Sequence, residues 1–121
     1  MTAFTEGRRP GDFIISLAHG NRSKENVTLA SGNVVVAGEV LGKLTSGGAY
    51  VPYDNGGSDG EQTAVAIALA NYDATLGDKE IAVVARDAEV IQDALTWQTT
   101  ADIAAGKVDL AAVGIICRPS I

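Results

Sequence analysis

Cysteine, histidine and aromatic side chains are scarce in this chain of 121 residues. It has one cysteine, one histidine and 5% aromatic residues. A single cysteine excludes an intrachain disulfide and cannot complete a thiolate metal site. Neither His19 nor Cys117 lies in a nucleophile motif or beside an activating partner in the sequence. We therefore expect that the protein is not an enzyme and that it has no catalytic residues, no metal site and no cofactor.

Long apolar runs are also missing. The longest, over residues 63–70 and 81–85, are far shorter than the roughly 20 residues that a membrane-spanning helix requires. Residues 1–20 lack a signal-peptide core because charged side chains interrupt them at Glu6, Arg8, Arg9 and Asp12. The sequence predicts a soluble protein that is not exported and has no membrane partner.

The charge is negative overall but unevenly distributed. The net charge is −6. Residues 1–24 carry four basic and two acidic side chains, a charge of +2, whereas residues 25–121 carry five basic and thirteen acidic side chains, a charge of −8. An acidic body argues against binding nucleic acid through its phosphates. The basic segment either docks on an acidic partner or is a solvated tail, and its charges fit both interpretations.

Short runs of β-branched and small apolar residues, separated by glycine- and aspartate-rich turns, dominate the chain. They predict strands over residues 13–17, 26–30, 34–36, 40–44, 49–53, 63–69, 80–86, 89–91 and 115–118. A chain of this length forms one domain that buries roughly two-thirds of its unfolded surface. We expect a mostly β (α+β) fold, a compact sandwich or barrel-like domain with a minor C-terminal helix.

The last third has weak helical signals. Thr99 or Thr100 can cap a short helix through Ala105, with Gly106 as its stop. Asp109 can begin a second one that runs through Val113. Two short helices before the final strand are therefore predicted.

The first eleven residues have no periodicity and end in Pro10-Gly11, as flexible arms do. The strand-prone segment 13–17 follows, and if it pairs, it could pair with another chain. We place the boundary between an N-terminal arm and docking segment, residues 1–23, and the β-domain, residues 24–121.

Three features allow other interpretations. The loop from Asp54 to Glu61 could offer oxygen ligands to calcium, although glycine turns with carboxylates are commonly Asx turns. Lys79 follows Asp78 between apolar runs, as a modified lysine does in carrier domains, but no duplicated half accompanies it. Trp97 fits an interface anchor and a core residue equally well. The alternative function is thus a small carrier or ligand-binding β-domain that uses Lys79 or this loop.

Several segments, in this order, resemble one known family. They are FIIS at 13–16, NRSKENVTL at 21–29, GEVLGK at 38–43, DAT at 73–75, VARDAEV at 84–90 and GIICR at 114–118. Together they resemble the head decoration protein D family of tailed bacteriophages over roughly residues 12–118. The likeness depends on the order of several segments and not on one short motif.

The resemblance implies a non-enzymatic structural protein, made in the host cytoplasm, that trimerises on the outer surface of the expanded phage head. There it would cement subunits of the major capsid protein against internal DNA pressure, with the N-terminal arm joining a capsid sheet. The expected capsid-binding residues are Phe4, Arg8, Arg9, Phe13, Ile14 and Ile15. The chain without residues 1–17 is expected to fold and trimerise but not to decorate heads.

Overall fold

Short strands form most of the molecule. The computed structural model describes residues 13–17, 23–98 and 102–119. Within these ranges the strands are β1 (Ile14–Leu17), β2 (Lys24–Leu29), β3 (Val34–Val35), β4 (Val40–Lys43), β5 (Tyr50–Pro52), β6 (Ala64–Ala68), β7 (Tyr72–Asp73), β8 (Lys79–Val84), β9 (Ala88–Ile91) and β10 (Ile115–Arg118). A 3₁₀ turn spans Gln92–Ala94, and the helix α1 spans Asp102–Ala112. The predicted mostly β fold with a small C-terminal helix is confirmed.

Five of these strands close into a barrel in the order β2-β5-β4-β6-β8. β2 and β8 pair antiparallel along their length, and one parallel pair, Leu29 with Tyr50, links β2 to β5. Such a narrow barrel leaves room for few large side chains, and alanines of β6 contribute to its interior. The buried side chains of this inner cluster include Leu29, Leu41, Tyr50, Ala66, Ala68, Ile81 and Val83.

A second sheet, in the order β1-β9-β10, packs on the outside of the barrel. β1 is antiparallel to β9, and β10 is parallel to it. Residues 13–17 therefore pair with β9 of their own chain. The sequence analysis considered that this segment could pair with another chain, and the structure shows the intrachain pairing instead. An outer cluster fills the space between this sheet, the barrel and α1, and it contains Phe13, Val40, Tyr53, Ala64, Ile67, Val84, Ala88, Val90, Leu95, Leu110 and Ile115.

The two-stranded ribbon of β3 and β7 covers the inner cluster. Val34 pairs with Asp73 and Val35 with Tyr72. Because successive strand side chains point to opposite faces, Val35 is buried while Val34 is 57% exposed. One face of the ribbon thus carries apolar side chains into solvent.

α1 is one continuous helix, so the prediction of two short helices separated at Gly106 was wrong. Asp102, Gly106 and Leu110 form its buried stripe at four-residue spacing. A Cβ atom at Gly106 would lie 2.2 Å from Cζ3 of Trp97, which is why this position is glycine. The helix ends at Ala112, and Gly114 follows it with a φ of 84°, the left-handed conformation that commonly terminates helices.

Trp97 lies half-buried against the outer cluster, and its ring meets that of Tyr53 edge-on at 6.2 Å. This packing is the core role considered for Trp97 in the sequence. The predicted cap at Thr99 or Thr100 lies outside the described residues.

We predict that Gly106→Ala destabilises the protein by about 1–3 kcal/mol, because the added methyl group overlaps the Trp97 ring. Urea denaturation measures this change. In an exposed helix the same substitution would stabilise by roughly 1 kcal/mol. Combining it with Trp97→Leu should cost less than the sum of the two single changes. A Gly106→Ala protein more stable than wild type would contradict the close packing.

Candidate docking surface

β1 is the edge strand of the second sheet, and its sequence determines what that edge presents. β9 pairs with one side of β1, and no strand among the described residues pairs with the other. The register shifts between Ile14 and Ser16, which marks a β-bulge at Ile15. An unpaired edge presents backbone N–H and C=O groups that can template another strand.

The structure separates the six predicted capsid-binding residues into three groups. Phe13 is 1% exposed and belongs to the outer core cluster, and Ile14 packs half-buried against that cluster. Ile15 is 40% exposed beside the edge. Phe4, Arg8 and Arg9 lie outside the described residues. Their assignment to capsid binding stays a prediction.

Phe13 is held by its backbone as well as by its side chain. Its carbonyl oxygen accepts a hydrogen bond from the amide of Ile91 at 2.8 Å. The chain before residue 13 therefore starts from a fixed point at the end of the edge strand.

A polar contact that the sequence analysis missed joins all three strands of this sheet. Ser16 on β1 donates a hydrogen bond to Oε2 of Glu89 on β9 at 3.1 Å, and Arg118 on β10 forms an ion pair with Oε1 of the same carboxylate. The Arg118 guanidinium, and then the Ser16 hydroxyl, lower the pKa of Glu89 below its ordinary value. The contact could have been found only from the strand register, which the sequence does not reveal.

The loop from Asp54 to Glu61 uses its side chains to satisfy its own backbone. Oδ1 of Asp54 accepts a hydrogen bond from the amide of Gly56 at 2.9 Å, and Oε1 of Glu61 accepts one from Asp59 at 2.8 Å. These hydrogen bonds from backbone amides to carboxylates are the ones expected if the loop consists of Asx-type turns. In the part of the chain that the structure describes, no three His, Cys, Asp or Glu side chains are grouped as metal ligands are.

Lys79 and Cys117 also have defined places. Lys79 is the first residue of β8 and pairs with Leu29, so it is not at a hairpin tip. Cys117 is half-buried on β10, where burial raises the pKa of its thiol and Lys107 opposes that shift only in part. A raised pKa makes Cys117 a poor nucleophile at neutral pH. His19 lies outside the described residues.

Together these features are those of a structural or binding domain: a closed barrel, a sheet whose strand β1 has one partner strand within the described ranges, and carboxylates engaged in turns and ion pairs. The chain belongs to the family described as bacteriophage lambda head decoration protein D, whose model matches residues 3–115. It is thus a phage head decoration protein, a structural component of the virion capsid.

Two further findings accompany this match. No curated protein matches the chain. Within the described ranges, no helix is long and apolar enough to cross a membrane.

We predict that the stabilisation provided by Glu89 disappears in acid. Because its pKa is lowered in the folded state, its contribution is present above the ordinary pKa of a glutamate and is lost as the pH falls through the folded pKa. Urea denaturation should show Glu89→Gln less stable than wild type at pH 7, and the difference should shrink steadily as the pH is lowered below the ordinary pKa of a glutamate. Glu80→Gln, at an exposed position of β8, is the control. The same stability difference for Glu89→Gln at pH 7 and below the ordinary pKa of a glutamate would contradict the prediction.

Proposed function

We propose that this protein binds the outer surface of the expanded phage head as a homotrimer and cements neighbouring capsid subunits against the pressure of packaged DNA. Residues 1–17 attach it to the major capsid protein. It performs no catalysis, and neither nucleic acid nor membrane is its direct partner. Membership of the head decoration family supports the general role.

The open edge of β1 is the observation that carries the proposed mode of attachment. A strand of the capsid protein that pairs with this edge, or with the arm just before it, extends the sheet β1-β9-β10 by β-augmentation. Main-chain hydrogen bonds then set the register, and Ile15 supplies an exposed apolar contact next to that edge.

The burial of Phe13 gives this attachment mechanical support. Phe13 is packed in the outer cluster together with Val90 and Ile115 of the neighbouring strands. A force applied to the arm therefore acts on the whole sheet through the packed side chain of Phe13. We assign Phe13 to anchoring the arm in the core, Ile14 to packing beneath the edge, and Ile15 with the arm residues Phe4, Arg8 and Arg9 to contact with the capsid.

Three arms on one trimer make the attachment multivalent. Once the first arm is bound, each further arm binds at an effective concentration in about the millimolar range, provided that its site is within reach. A weak individual contact therefore suffices for stable decoration. In this proposal the expanded head is preferred because expansion brings three capsid sites to the spacing of the three arms.

The alternative is a carrier or ligand-binding domain that uses Lys79. An open depression of about 670 Å³ lies at the residues from Asp73 to Lys79, which leaves the lysine accessible. Intact mass of the protein from its natural host decides this alternative, because a carrier shows a mass increase that Lys79→Arg abolishes.

We predict that removal of residues 1–12 abolishes decoration but preserves the fold. Deletion through residue 17 is a less clean test, because it also removes Phe13 from the core and β1 from the sheet. Co-sedimentation with expanded and unexpanded heads measures binding, and circular dichroism and sedimentation velocity of the free protein report fold and assembly. Normal decoration by the truncated chain would contradict the role of the arm.

We predict that Arg8→Gln/Arg9→Gln weakens binding to heads and reduces its dependence on salt, because the proposed contact pairs these two charges with acidic groups of the capsid. Lys24→Gln/Lys79→Gln removes two exposed cations of the barrel and is the matched control. Binding titrations at low and high ionic strength compare the two variants. If the two double variants weaken binding equally, only the total charge of the protein matters. That result would contradict a specific role for Arg8 and Arg9.

A further inference from the structure

Exposed apolar side chains occur at two places away from the docking edge. Across residues 13–17, 23–98 and 102–119, the large hydrophobic residues that are exposed are Ile15, Val34, Val36, Leu76, Val108 and Ile116. Ile15 lies on β1. The other five fall into a ribbon surface, formed by Val34, Val36 and Leu76, and a helix surface, formed by Val108 and Ile116 together with the smaller Ala111 between them.

The ribbon surface ends in a protruding leucine. Leu76 is 103% exposed, in the turn that follows β7. The turn is fixed by main-chain hydrogen bonds from Gly77 to Ala74 at 3.1 Å and from Ala74 to Asn33 at 2.8 Å. Ser31 also donates its amide hydrogen to Asp78 at 2.8 Å. Leu76 is thus held outward by an ordered turn.

The helix surface contains a depression. An open hollow of about 280 Å³ lies between α1 and the edge of β10, lined by Lys107, Val108, Ala111, Ile116 and Cys117. Val108 is 71% exposed at its rim. The hollow is smaller than the usual range of ligand pockets, so a single protruding side chain suits it better than a cofactor.

The two surfaces lie over different parts of the core. The ribbon covers the inner cluster through Val35 and Ala74. The helix surface covers the outer cluster through Leu110 and Ile115. The protruding Leu76 and the hollow therefore belong to separate regions of one protomer. Two separate surfaces of this kind can contact each other between two copies of the chain.

Charge and symmetry identify a second copy of this chain as the occupant. A cyclic trimer cannot use one patch on itself; it needs two different, complementary patches that meet head to tail. Around Leu76 the two carboxylates of Asp73 and Asp78 outnumber the one cation, Lys79, whereas Lys107 lines the hollow. Opposite charges beside apolar contacts fix the orientation of such an interface.

We propose that the homotrimer is closed by three identical head-to-tail contacts, in which the ribbon surface of one protomer packs on the helix surface of the next and Leu76 enters the hollow beside Cys117. This inference rests on the proposed trimer and identifies its interface. The contact uses no side chain of β1, although Ile116 of the helix surface lies in the same sheet, two strands from that edge.

Cross-linking between two exposed positions tests the contact directly once the half-buried Cys117, the single native cysteine, is replaced by Cys117→Ser. In that background Leu76→Cys/Val108→Cys places one exposed thiol on each surface, and a short bismaleimide should convert this variant into covalent trimers on denaturing gels. The wild type and the variant Leu76→Cys/Cys117→Ser should give none. The reaction is run on the free protein and on decorated heads.

Two outcomes of the cross-linking experiment would contradict the proposed interface. Covalent dimers of the single-cysteine variant Leu76→Cys/Cys117→Ser would mean that Leu76 meets Leu76 of another copy, which overturns the head-to-tail contact. Absence of covalent trimers in both the free and the head-bound protein overturns it as well.

Substitutions separate this interface from capsid binding. Leu76→Asp and Val108→Asp should each weaken trimer association at least about tenfold in sedimentation equilibrium, while thermal unfolding of the dilute protomer shows that the fold is kept. Ile15→Asp, a change at a similarly apolar exposed position, should leave the trimer intact and reduce decoration of heads. Trimers unaffected by Leu76→Asp overturn the proposed interface, whereas decoration unaffected by Ile15→Asp counts only against the docking edge.

Discussion

The packing of the second sheet on the outside of the barrel is the contact on which the rest of the molecule depends. A barrel lined partly by alanine buries little apolar surface per side chain, so it gains from a second cluster outside its wall. Phe13, Leu110 and Ile115 supply that cluster from β1, α1 and β10. The same packing holds β1 at an edge, with the N-terminal arm leaving from its start.

This arrangement fixes the point at which the proposed N-terminal attachment joins the stable body of the protein. Residue 13 is the transition: its side chain is in the core, and its carbonyl oxygen is bonded to Ile91. Beyond it the sheet has an open edge whose bulge at Ile15 disturbs regular pairing. Bulges at edges discourage indiscriminate association, so a partner strand must match this irregular edge.

Local sequence patterns predicted nine of the ten strands in the described residues, because each of these has a β-branched or small apolar run bounded by turn residues. β7, Tyr72–Asp73, has no such run and was missed. β6, from the run TAVAIAL, and β8, from EIAVVAR, are examples. The helix was misjudged at Gly106, because a glycine that stops a helix and one that admits a neighbouring ring look alike in sequence. Only the position of Trp97 distinguishes them. Pairings such as Glu89 with Ser16 and Arg118 depend on register between distant segments, which no local pattern encodes.

The proposal assigns the capsid contact and the trimer contact to different surfaces, because the two contacts place different requirements on the partner's sequence. A sheet edge binds through main-chain groups, so it accepts a partner of varied sequence and suits a capsid strand. Contacts between identical copies instead require side chains that fit one another at the same time, and a leucine with a hollow provides that fit. Placing the trimer contacts on Leu76 and Val108 keeps them away from β1. Assembly of the trimer then leaves all three edges open, and simultaneous engagement of three arms becomes geometrically possible.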